Sequence, residues 1–122
     1  MAKMSIVGNV AYNRKDNRAE IQANVSFEDN IYQTIDLGFG GFRIDGYGGE
    51  LKPGQEFILD GIGPADEEVF MVRVDCLVAR RLGSQLGVGF TELSSDAYDI
   101  LEALLMRRKK FFDKLRSKQR PG

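Results

Sequence analysis

Two arginines four residues apart, Arg14 and Arg18 with Lys15 between them, and a carboxylate followed by glycines, Asp36-Leu37-Gly38-Phe39-Gly40-Gly41, are the residues whose types and spacing could do chemistry. On a helix the arginine spacing puts both guanidinium groups on one face, and in a curled loop it lets them converge. Unpaired basic residues on a polar, turn-prone loop such as 13–18 are more often simply solvated. The glycines lie between the β-branched run Ile31 to Ile35 and Phe42-Arg43-Ile44, within strand-like sequence rather than a linker. Glycine there marks a bulge or the close approach of another backbone or a ligand, and this stretch alone leaves both readings open.

Other chemistry is scarce. The chain has no histidine and one cysteine, so ordinary zinc sites and Ser-His or Cys-His nucleophilic pairs are unavailable to it. The acidic run Asp66-Glu67-Glu68 reads as a solvated loop before a strand. No Gly-Lys-Ser or Gly-Lys-Thr follows the glycines, which excludes the usual mononucleotide loop. A binding module rather than an enzyme is expected, with no metal and no cofactor.

These residues must be held by one domain, since 122 residues with 43% hydrophobic and 29% charged content describe an ordinary globular chain. No apolar run reaches 18 residues, which argues against a transmembrane helix and, with the short segment Ile6 to Val10, against a signal peptide. Cys76 sits in the apolar run Val74-Asp75-Cys76-Leu77-Val78 and reads as a buried strand thiol, so a cytoplasmic location is expected. Charge is lopsided: residues 1–106 carry a balance of −8 and residues 107–122 a balance of +7. An acidic body with a basic tail follows, the tail suited to an acidic partner, an anionic surface or its own domain.

From Glu20 the pattern is β. Ile21, Ala23, Val25 and Phe27 alternate with polar residues, Glu28-Asp29-Asn30 turns the chain, and Ile31 to Asp36 returns as the partner strand. Phe42 to Ile44, Glu56 to Leu59, Val69 to Ala79 and Gln85 to Thr91 complete six or seven short strands separated by turn signals, as in an antiparallel barrel or sandwich. At Ser94 or Ser95 the period changes to that of a helix, with Asp96 and Asp99 in its first turn and a stripe from Tyr98 through Leu101 and Leu104 to Phe111, Phe112 and Leu115. A single C-terminal helix is expected.

Arg14-Lys15-Asp16-Asn17-Arg18 fits an Arg-x-x-x-Arg motif, and Asp36-Leu37-Gly38-Phe39-Gly40-Gly41 resembles the Asp/Asn-x-Ser-x-x-Gly motif that follows it in PilZ domains. Leu86-Gly87-Val88-Gly89-Phe90 before a terminal helix resembles the end of the barrel in that family, and the resemblance spans about residues 12 to 106. It implies an all-β fold with a C-terminal helix, a six-stranded antiparallel PilZ-like barrel, preceded by an N-terminal arm (1–11) and followed by a basic helical tail (107–122).

It also implies a receptor for the bacterial second messenger cyclic di-GMP that relays its level to an unidentified protein partner in motility, biofilm or exopolysaccharide control. Arg14 and Arg18 would grip phosphate and guanine, Asp36 would accept from guanine N–H groups, Gly41 would admit the ligand to the backbone, and Lys15 would add charge nearby. Gly38 stands where the motif has Ser. A missing hydrogen bond of that kind is worth roughly 1–3 kcal/mol. The alternative is a degenerate interaction module that does not bind the nucleotide and works through residues 107–122 by self-association or membrane-surface contact. No DNA partner is expected of an acidic barrel.

Overall fold

The computed structural model describes residues 20–119. Six strands, β1 (Ala23–Phe27), β2 (Asn30–Leu37), β3 (Gly41–Ile44), β4 (Glu56–Pro64), β5 (Phe70–Leu82) and β6 (Gln85–Glu92), precede two helices, α1 (Ser95–Leu105) and α2 (Lys109–Gln119). All neighbouring strands are antiparallel, and they close in the order β1-β2-β3-β6-β5-β4. The six-stranded antiparallel barrel expected from the strand pattern is the observed fold.

Alternation in β1 puts Ala23, Val25 and Phe27 inside, where each is fully buried. Closure is completed where β1 meets β4, with Val25 opposite Ile62. Because every strand reverses direction, residues 20–22, the loop 38–40, the loop 65–69 and both helices gather at one end of the barrel. At the other end Phe27, Tyr32, Tyr47 and Phe57 form an aromatic plug with ring centroids 4.8 to 5.9 Å apart. The Tyr47 hydroxyl donates to Glu28 Oε1 at 2.6 Å, and the Arg81 guanidinium lies 4.8 Å from the Tyr47 ring centroid.

The strands run longer than the sequence pattern suggests. β4 continues beyond Leu59 through Gly61 and Gly63 to Pro64, with an irregularity in its pairing to β5 between Leu59 and Gly61. Glycine is needed at Gly63, where a Cβ would lie 2.7 Å from the Glu68 carbonyl oxygen. These glycines belong to a crowded strand rather than to a turn.

The single terminal helix expected from the apolar stripe is two helices. Ser94 caps α1 by accepting from the Ala97 amide at 3.1 Å. α1 ends in a Schellman arrangement: Arg108 N–H donates to the Ala103 carbonyl at 2.8 Å and Arg107 N–H to the Leu104 carbonyl at 3.2 Å, with Arg107 at φ +55°. No glycine or proline advertises this break, since the left-handed position is held by arginine. The turn swings α2 back so that Phe112, 3% exposed, stacks on Phe70 at 5.6 Å. Phe111 and Leu115 are half-buried against the same core, so the apolar side of α2 faces inward.

Arg107→Gly is expected to raise stability by about 0.5–1 kcal/mol in urea unfolding, because glycine adopts the left-handed position without steric cost. Cys76 is buried on β5, and burial pushes its thiol up to about 12, helped by the nearby Asp75 carboxylate. The folded chain therefore holds this proton more tightly than the unfolded chain, so the contribution to stability is complete below the unfolded value near 9 and is lost as pH climbs toward 12. A thiol reagent at pH 8 is expected to leave Cys76 unmodified in the folded protein and to titrate one thiol in denaturant.

Candidate functional site

The hairpin between β2 and β3 carries the glycine stretch. Its register sets Asp36 opposite Arg43 and Leu37 opposite Phe42, with an irregularity between Thr34 and Asp36. Leu37 and Phe42 point into the core. Asp36 and Arg43 form an ion pair in which both Arg43 Nε and one terminal guanidinium nitrogen lie 2.9 Å from Asp36 Oδ2. The carboxylate side chain is 13% exposed and the guanidinium 41%. The sequence reading missed Arg43. The signal was its position, as far after the Gly40-Gly41 pair as a cross-strand partner of Asp36 requires.

The loop itself is rigidly tied. Gly38 is buried, and its N–H donates to the Gly41 carbonyl at 2.9 Å. The Gly40 carbonyl accepts from the Phe90 amide at 2.9 Å, fastening the loop to β6. Phe39, 38% exposed, projects toward α1 and stacks on Tyr98, 45% exposed, at 4.9 Å and 18°. Tyr98 was expected as part of the apolar stripe of the helix, and instead it meets the glycine loop.

Gly41 has a demanding neighbour. A Cβ there would sit 1.9 Å from the Val88 carbonyl oxygen, because β3 pairs with β6 at Gly41–Gly89 and Phe42–Val88. The absent side chain makes room for the β6 backbone. A ligand-facing role, the one the motif implies, would come in addition to this closure.

A second staple lies beside the hairpin. Thr34, buried on β2, accepts from the Ala23 amide at 2.9 Å and donates to the Ile21 carbonyl at 2.7 Å. The segment leading into β1 is thereby fixed against β2, two residues from Asp36. Arg14, Lys15 and Arg18 lie outside the described residues. Asp36, Gly38 and Gly41 are thus brought together, with Arg43 added and Phe39–Tyr98 beside them.

Next to this hairpin a cleft of about 850 Å³ opens between the barrel end and the helices, with Ile21, Ile35, Leu104 and Phe112 in its walls. Glu20, Asp66, Glu67 and Arg107 also line it. The Asn24 side-chain amide holds one wall by donating to the carbonyls of Pro64, Ala65 and Glu67 at 2.9 to 3.3 Å. Among the described residues no group of three or more Cys, Asp or Glu is arranged to hold a metal ion, and no helix is long and apolar enough to cross a membrane.

Fold and site together define a closed antiparallel barrel with a helical cap and a glycine-bearing hairpin at the capped end. No protein-family profile matches the sequence, and no curated protein does. Solved structures share the fold: the Bacillus subtilis inhibitor of motility MotI/DgrA is similar with a TM-score of 0.58 at 14% identity over 82% of this chain. An uncharacterized Legionella protein, Lpg0364, is similar with a TM-score of 0.51 at 16% identity over 81% of this chain and 97% of its own. This chain spans about half, 53%, of the MotI/DgrA chain.

Gly41→Ala is expected to cost about 3 kcal/mol or to prevent folding, since backbone rather than a flexible side chain must move. Gly40→Ala, with nothing within 4 Å of its added methyl group, is expected to change stability by about 0.5 kcal/mol or less. Urea unfolding of the pair measures the contrast.

Proposed function

We propose that this protein is a bacterial receptor for cyclic di-GMP of the PilZ type, an adaptor that reports the level of the second messenger to a partner protein. The observation that carries the reading is the Thr34 staple. It fixes Ile21 against β2 two residues from Asp36. Arg18 precedes Ile21 by three residues, a chain length of at most about 11 Å, so an Arg18 within reach of the Asp-x-Gly-x-x-Gly hairpin is compatible with this anchoring, which supports the reading.

In this reading Arg14 and Arg18 clamp the phosphates and a guanine, with Lys15 adding charge. Planar guanidinium groups suit both tasks. Asp36, oriented by Arg43, accepts from guanine N–H groups. Binding draws the arginine segment onto the barrel and changes the surface a partner meets, with no covalent chemistry. Similarity of fold to a protein named as an inhibitor of motility supports an adaptor role in motility control; biofilm or exopolysaccharide control is the other output the family resemblance implies.

The second reading, output through the basic tail, is favoured by the exposure of Arg107, Arg108, Lys110 and Lys114 together. With Phe112 buried, such a contact would be electrostatic rather than an insertion of apolar side chains. Charge reversal, Lys110→Glu with Lys114→Glu, tests it without uncovering Phe70, which truncation at Arg107 would do.

Calorimetric titration with cyclic di-GMP is expected to show saturable binding, lost in Arg14→Ala and Arg18→Ala and weakened in Arg43→Ala. Heat indistinguishable from buffer at high micromolar ligand would sink the receptor reading. Gly38→Ser is expected to tighten binding by about 5- to 150-fold, the equivalent of one restored hydrogen bond. An unchanged affinity would assign Gly38 a purely backbone role in the loop.

A further inference from the structure

The cleft at the capped end is walled by apolar side chains from three sources, the run into β1 (Ile21), the β2 irregularity (Ile35) and the helices (Leu104, Phe112). Its charged lining is mainly acidic, Glu20, Asp66 and Glu67 against Arg107. Nothing in the proposed nucleotide site uses it. We propose that this cleft is the seat of a segment of the same chain, residues 4–12, Met4-Ser5-Ile6-Val7-Gly8-Asn9-Val10-Ala11-Tyr12.

Connectivity is the first argument. Glu20 and Ile21 are themselves cleft residues, and the Ile21 carbonyl is held by Thr34, so the nineteen residues that precede Glu20 are tethered at the lip of the cleft. Such a tether holds a segment at an effective concentration in the millimolar range, and even weak complementarity then suffices for occupancy. Between tether and segment lie residues 13–19, of which 13–18 have the polar, turn-prone composition that suits a reversal bringing Ile6 to Tyr12 back toward the tether.

Chemistry is the second. Ile6, Val7, Val10 and Tyr12 match the apolar walls, while Arg14, Lys15 and Arg18 match the acids at the lip. The pairing joins an acidic surface on the barrel to a basic stretch next to it in sequence. It concerns the chain without nucleotide and stands or falls apart from the receptor reading.

Hydrogen exchange and NMR of the full chain without nucleotide test it. Residues 4–12 of the wild type are expected to exchange at least tenfold more slowly than in the urea-unfolded chain. Ile6→Asp with Val10→Asp is expected to abolish that protection and to shift the signals of Ile35, Leu104 and Phe112, leaving those of the distant Tyr47 plug unmoved. Asp66→Lys, at an exposed loop position, is expected to reduce the protection several-fold, and adding Arg14→Glu to restore part of it.

Exchange of residues 4–12 at the free-chain rate overturns the proposal, as do cleft signals identical in wild type and double variant. Protection that vanishes on dilution together with a dimer mass in light scattering also overturns it, by assigning the cleft to the arm of a second copy. Each of these results leaves the nucleotide titration to be judged on its own.

Discussion

The approach of β3 to β6 at Gly41 is the constraint on which the rest of this barrel depends. The Val88 carbonyl occupies the place a side chain would need, so only glycine lets the two strands pair and the sheet close. That pairing sets the short hairpin from Leu37 to Phe42, and the hairpin in turn sets Asp36 opposite Arg43. It also brings the Gly40 carbonyl under the Phe90 amide and sends Phe39 toward Tyr98 on α1. One steric fact thus links barrel closure, the charged pair on the surface and the seat of the helical cap.

Much of this was legible because its causes are local. Alternation marks β1, turn residues separate the strands, and Ser94 announces the first helix. What stayed hidden depends on partners distant in sequence. Arg43 reads as an ordinary strand residue until the register places Asp36 across from it. Gly61 and Gly63 look like a turn, yet they relieve crowding against Val69 and Glu68 inside a strand. The break between α1 and α2 falls at an arginine in a left-handed conformation, where sequence preference points the other way and the burial of Phe112 on Phe70 decides. The motif arginines, Arg14 and Arg18, are legible as a motif only.

The division between acidic body and basic tail also takes on a physical form. α2 turns Phe112 inward and leaves Lys110 and Lys114 outside, so the tail presents cations on a packed helix rather than on an amphipathic one awaiting a partner. The acids do not spread evenly either, since Glu20, Asp66 and Glu67 share a cleft next to the tether of the other basic stretch. A chain that is nearly neutral overall therefore offers fields of both signs at the same end of the barrel, the end that carries the glycine hairpin.

The Asp36–Arg43 pair bears on how such an end would treat a dianionic nucleotide. Both guanidinium contacts fall on one carboxylate oxygen, Oδ2, at 2.9 Å. The pair fixes the orientation of the carboxylate while the guanidinium beside it stays 41% exposed. In the proposed function Arg43 would add a third cation to the two motif arginines assigned to the phosphates. In that reading a ligand with two phosphates would be held largely by charge, and its affinity would fall with salt. The same ion pair that looks structural in the barrel is, in that reading, what holds the recognition carboxylate in place.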